Sequence, residues 1–183
     1  SLSAIQNGQH PLIKRLAFEE LIAQHIALQK IKKQIQRHAA YPIACSKDKE
    51  SKLLSALPFK LTAAQSRVIS EIQTDLQRSY PMMRLVQGDV GSGKTLVAAF
   101  NILQVADKNL QSVLMAPTEI LAEQHYKSFK QWFEPLNIKV VLLTSKMNAA
   151  DKRATLKDMA SGEAKVVIGT HALFQLQVEF NQL

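Results

Sequence analysis

Gly88-Asp89-Val90-Gly91-Ser92-Gly93-Lys94-Thr95 is G-x-x-x-x-G-K-T, the pattern of a loop that wraps phosphate. Its flanks give the string a structural context. Met82-Met83-Arg84-Leu85-Val86-Gln87, behind Pro81, is an apolar run of strand length. Leu96 to Ala106 reads as a largely buried helix. Strand, glycine loop and helix in that order predict a unit whose loop N–H groups converge on an anion. The helix N-terminus adds partial positive charge at the same place. Glycines let the backbone approach closely, and Lys94 then reaches the β- and γ-phosphates of a nucleotide. Thr95 offers its hydroxyl to Mg²⁺, so ATP with Mg²⁺ is the expected ligand. The whole loop, Gly88, Asp89, Val90, Gly91, Ser92, Gly93, Lys94 and Thr95, forms the candidate nucleotide site, with Lys94 and Thr95 as its catalytic pair.

Downstream the alternation continues. Ser112–Ala116, Ile138–Leu143 and Lys165–Ile168 read as strands, and Glu119–Glu134 and Ala149–Ala160 as helices between them. Four strands with helical crossovers predict a parallel α/β sheet. Their carboxyl ends, at Gln87, Ala116, Leu143 and Ile168, are expected on one edge, where ligands bind in such sheets. Upstream, Thr62 is the expected N-cap of a helix through Leu76, with Val68, Ile69 and Ile72 facing inward. Gln65 lies one turn inside that helix, and its amide has both a donor and an acceptor to offer adenine.

The N-terminal third differs in character. Pro11 to Ala40 reads as one long helix with an apolar stripe through Phe18, Leu21, Leu28, Ile31 and Ile35, which should pack on a neighbour. Lys30, Lys33 and Arg37 share another face, which reads as solvated, with DNA-phosphate contact as the alternative. Tyr41–Ser51 reads as a linker and Lys52–Ala56 as a short helix. A boundary at Pro58 divides a helical segment, 1–57, from a catalytic-type domain, 58–183. Of the net charge of +8, most falls before Pro58: nine Lys/Arg face four Asp/Glu there, and fourteen face eleven afterwards. A basic balance favours an anionic partner, nucleic acid first. Cys45 stands alone, which excludes an internal disulfide and favours a reducing, cytoplasmic setting and an idle thiol. No stretch reaches the length of a membrane span. The start at Ser1-Leu2 without methionine and the end at Phe180-Asn181-Gln182-Leu183 without a helix stop are those of a piece of something longer.

Four motifs stand in an order that resembles one family. Phe59-x-Leu61-Thr62-x-x-Gln65, the phosphate loop, Met115-Ala116-Pro117-Thr118-Glu119-Ile120-Leu121-Ala122-Glu123-Gln124-His125 and Gly169-Thr170-His171-Ala172-Leu173 are similar to RecG, bacterial superfamily 2 DNA helicases that remodel stalled replication forks. Arg15-Leu16-Ala17-Phe18-Glu19-Glu20-Leu21 resembles the segment joining that family's DNA-binding wedge to its motor. The resemblance implies a RecA-like first motor domain, truncated and preceded by a long helix. It implies adenine recognition by Gln65 with Phe59, and DNA-backbone contact at Pro117, Thr118, Gly169 and Thr170. Threonine-arginine in place of the Pro117-Thr118 motif would instead resemble RNA helicases.

The family often has glycine where this chain has Ser145, which removes the basis for a close backbone contact there. Its Asp-Glu-x-His motif and second motor domain are not matched; Asp151, Asp158 and Glu163 fall on the wrong elements. Such a chain is expected to bind ATP weakly without turnover, as part of a motor acting on branched DNA in recombination and repair. With an interior strand unmatched, an added strand from another chain, a shifted arrangement or marginal stability is expected. A related translocase coupling repair to stalled transcription, and a phosphate-loop small-molecule kinase, are the alternatives.

Overall fold

The computed structural model describes residues 10–44, 46–175 and 178–183; Cys45 and its expected idle thiol lie outside them. Two compact units divide the chain. One runs to Pro42 and includes Arg78–Met83; the other is Ile43–Gln77 with Arg84–Leu183.

The first unit is dominated by α1, Pro11–Ile35. Pro11 occupies the first turn, and the His10 ring accepts from Leu12 N–H at 3.3 Å. The helix ends five residues before the expected Ala40, as the chain turns towards Tyr41-Pro42. None of its residues is buried, against the expectation that its stripe covers a neighbour. Among the described residues of this unit, nothing covers that stripe. Phe18, Leu21 and Leu28 stay more than half exposed.

The second unit holds five helices and a parallel sheet. In chain order these are α2 (Lys47–Ala56), α3 (Ala63–Leu76), α4 (Lys94–Asp107), β1 (Ser112–Met115), α5 (Glu119–Phe133), β2 (Val140–Leu143), α6 (Ala149–Ser161) and β3 (Val166–Gly169). Short 3-10 turns follow α5 and β3. The strand order is β1-β3-β2, all parallel, with Met115 and Leu143 both in register with Gly169. Each crossover runs through a helix, as parallel pairing demands.

Alternation along the strands sorts the two faces. Val140, Val166 and Ile168 join a core with Phe100, Leu103, Phe129 and Phe133. Val141, Leu143 and Val167 turn to the other side, against Met159 of α6, Ala164 and Leu173. α2 extends five residues further towards the N-terminus than expected. The charged run Lys47–Glu50 forms its first turn, where Asp48 and Glu50 favour a helix start. Its Leu53 is fully buried in the same core as α4, and Lys49 pairs with Asp107 at 3.0 Å.

The strand expected at Met82–Gln87 does not form. Among the described residues the three strands pair only with one another, and an extended segment without a ladder partner is not a strand. A side-chain fork holds its second half instead. Arg84 donates to Asp75 at 2.6 and 2.9 Å and to Glu71 at 2.8 Å, and these carboxylates raise its pKa further above its usual range.

Two buried amides also organise this unit. Gln111, just before β1, donates to the carbonyls of Met159 and Ala164 at 2.9 and 2.8 Å and accepts from Asn181 and Gln182 N–H. Its own N–H donates to the Gln182 carbonyl at 2.7 Å, on a side of β1 away from β3. Gln104 of α4 donates to the Ile43 carbonyl, fastening the segment before α2 to the loop's helix.

At Gly169 an added Cβ would collide with the Leu143 carbonyl of the neighbouring strand. Gly169→Ala is therefore expected to lower stability by about 1–3 kcal/mol, because backbone must move. Urea denaturation measures this, and unchanged stability would mean that the two strands separate freely.

Candidate nucleotide site and sheet edge

The loop Gly88–Thr95 is built from backbone conformation first. Gly91 and Gly93 have φ of +82° and +81°, in the left-handed region. Gly93 is the N-cap of α4 at a φ that side chains with a Cβ rarely adopt, and a Cβ there would also press on the Gln65 amide. Leu96 and Val97 N–H close the first turn on the Gly93 carbonyl, at 2.9 and 3.1 Å.

Lys94 folds back over the curl, its ammonium donating to the carbonyls of Gly88 and Asp89, each at 2.7 Å. The ammonium is thus at the loop and not out in solvent away from it. These are neutral acceptors on an exposed loop, and an anionic phosphate oxygen is a stronger partner for the same donors. Val90 and Ser92 stand exposed on the loop's rim, and Thr95 is half-buried in the first turn of α4.

Gln65 is tied to this loop. Its Oε1 accepts from Thr62 N–H at 2.8 Å, completing a capping box with the Thr62 hydroxyl. Its Nε2 donates to the Ser92 carbonyl at 2.9 Å. The amide joins the N-terminus of α3 to the phosphate loop, and reading adenine would require exchanging those bonds. Phe59, in the bend ahead of α3, is half exposed. Thr95 remains the only expected metal contact. Among the described residues no cluster of three or more His, Cys, Asp or Glu could hold a metal.

The second group lies at the carboxyl end of the sheet. Because Met115, Leu143 and Gly169 are abreast, the three corners that follow them are neighbours. Pro117 and Thr118 are exposed, and the Thr118 hydroxyl caps α5 by accepting from Leu121 N–H at 3.3 Å. Thr170 differs: it is 2% exposed, and its hydroxyl oxygen makes no hydrogen bond. Gly169 is buried with it.

Sequence reasoning missed a link between two of these corners. Glu119 accepts from the Ser145 hydroxyl at 2.9 Å and pairs with Lys146 at 2.8 Å. Lys146, and then Ser145, hold the Glu119 carboxyl below the usual carboxylate range, and the carboxylate in turn raises Lys146. A depressed carboxylate contributes above its unfolded value and is lost as pH falls through its folded one. A raised ammonium contributes below its unfolded value and is lost as pH rises through its folded one. Across neutral pH the link is therefore constant. Asp158 and Glu163 are occupied elsewhere, pairing with Lys139 at 2.8 and 3.1 Å before β2. Asp151 accepts from Asn148 at 2.7 Å in the first turn of α6.

Comparison with known proteins is consistent with this geometry. The DEAD/DEAH box helicase family model matches residues 62–183. The ATP-dependent DNA helicase RecG of Haemophilus influenzae is 49% identical over 183 residues, all of this chain and 26% of its own length. RecG of Pasteurella multocida is 50% identical over the same span, again 26% of its length. A solved structure of RecG bound to a three-way DNA junction superposes with a TM-score of 0.86 at 42% identity, covering 93% of this chain and 23% of that one. The chain thus spans about a quarter of these relatives. Among the described residues no helix is long and apolar enough to cross a membrane.

Proposed function

The chain belongs to the DEAD/DEAH box helicases, in their RecG branch, and from that premise we propose that it is the ATP-binding part of a motor that remodels branched DNA. The observation that carries the nucleotide half is the loop Gly88–Thr95, with two left-handed glycines and an ammonium seated over the curl. Its residues suit a triphosphate tail: Gly93 begins α4, and Lys94 supplies a point charge beside the helix N-terminus. Thr95 offers one oxygen to a Mg²⁺ that arrives with the nucleotide. Gln65 and Phe59 take the adenine side, Gln65 by trading its bond to the Ser92 carbonyl for the base.

The DNA half rests on the three adjacent corners, Pro117-Thr118, Thr144-Lys146 and Gly169-Thr170. A strand's phosphates would be held by the exposed hydroxyls of Thr118 and Ser145 and by the N–H groups that open α5, while the buried Gly169 and Thr170 are set aside as direct contacts. Family membership leaves the small-molecule kinase alternative without support. The longer protein is then a cytoplasmic ATPase of recombination and repair whose substrate is forked or junction DNA.

The family's Asp-Glu-x-His motif is unmatched in these 183 residues, so this stretch is expected to bind ATP without turning it over. Steady-state hydrolysis by the 183-residue chain, with and without forked DNA, is the measurement. Turnover at the rate of the full-length protein would refute this division of labour. Nucleotide binding that survives loss of Lys94 would refute the site itself.

A further inference from the structure

Of the three adjacent corners, only one carries a lysine or arginine, and that residue is Lys146. Its side chain is 86% exposed, whereas Glu119, which it pairs with, is 19% exposed. One carboxylate therefore fastens two corners: Oε2 takes the Lys146 ammonium at 2.8 Å and Oε1 takes the Ser145 hydroxyl at 2.9 Å. Glu123, one turn further along α5, adds a second negative charge towards the same ammonium. Glu119 is held from both of its oxygens. Lys146 has two further donor protons and open solvent around it.

We propose that Lys146 is a backbone-phosphate contact for a DNA strand crossing this edge, and that Glu119 is a positioning residue that competes with the phosphate for its ammonium. The proposal rests on the reading of this edge as a DNA surface. A phosphodiester oxygen carries the same charge as a carboxylate and accepts the same hydrogen bond. Exchanging one for the other therefore leaves the ammonium partnered throughout. Ser145 keeps the loop in place during the exchange, because its hydroxyl stays on the other carboxylate oxygen. Glu119 thereby does two opposing things: it aims Lys146 over the edge, and it lowers the charge that the edge presents.

The test is equilibrium binding of a fluorescent single-stranded oligonucleotide to the full-length protein that carries this chain, measured across a salt series. Lys146→Gln is expected to weaken binding several-fold and to flatten the slope of log K against log salt by about 0.7, one phosphate's worth on a single strand. Lys146→Arg should restore the slope. Glu119→Gln keeps the shape and the acceptor for Ser145 but removes the charge, and should tighten binding several-fold at low salt. In the Lys146→Gln background the same change should do nothing.

An unchanged slope in Lys146→Gln overturns the phosphate contact. A Glu119→Gln variant that binds no tighter, or equally tightly in both backgrounds, overturns the competition. Thermal melting of each variant separates these outcomes from misfolding, and Lys146→Met, which keeps the length and removes the charge, carries the test if Lys146→Gln does not fold. Failure of the wild-type protein to bind DNA with any salt dependence is a different result, and it removes the DNA reading of the edge as a whole.

Discussion

Replacing Lys94 by alanine in the full-length protein is expected to lower ATP turnover by roughly 10²-fold or more while leaving the fold intact. The argument for a large effect is electrostatic. Phosphoryl transfer asks the protein mainly to position and neutralise a triphosphate, and at this loop the cationic side chain is Lys94. The argument for an intact fold is equally direct. Lys94 is exposed and belongs to neither core, and its ammonium donates only to the Gly88 and Asp89 carbonyls. Removing such a side chain typically changes stability by less than about 0.5 kcal/mol. Binding of a fluorescent ATP analogue, turnover with forked DNA and a thermal melt check the three parts together. Turnover within twofold of wild type would remove Lys94 from the mechanism.

The second large effect is structural. Phe129→Ala is expected to cost about 3–5 kcal/mol, the range for deleting a fully buried aromatic ring. Phe129 has no exposed surface and meets Phe133 edge-on at 5.5 Å and Trp132 at 5.6 Å. α5 lies against β2 and β3, so the cavity would open beneath the sheet. For a chain of this size each kcal/mol shifts the midpoint by about 2–4 °C, which predicts a fall of roughly 10 °C. α5 is capped by Thr118 and starts at Glu119, so weaker DNA binding should accompany the loss. A ΔΔG below about 1 kcal/mol would show that the ring is not where the core requires it.

Much of this architecture was legible because it is local. The Thr62 cap, the helices through Leu76 and from Glu119, and strands β1, β2 and β3 fall within a few residues of their sequence positions. Each rests on a cap, a breaker or a short-range period, which neighbours in the chain decide. The phosphate loop is of the same kind, since positive φ at Gly91 and Gly93 is written in the glycines.

What the local pattern did not show depends on distant partners. Met82–Gln87 has strand composition, but a strand exists only with a ladder beside it. The stripe of α1 promises burial that the described residues do not supply. The Arg84 fork, the buried Gln111 and the Glu119 link all join residues nine or more positions apart by charge or amide, and no local pattern marks them.

By itself, then, the amino-acid order determined a parallel α/β unit with a phosphate loop, because glycines, caps and alternating apolar runs act over a few residues. Only the tertiary structure decided which corners stand side by side, that Thr170 is covered while Thr118 is open, and that Lys146 is already paired with a carboxylate. Those outcomes depend on register, burial and charges meeting across the fold, which exist only once the strands have paired.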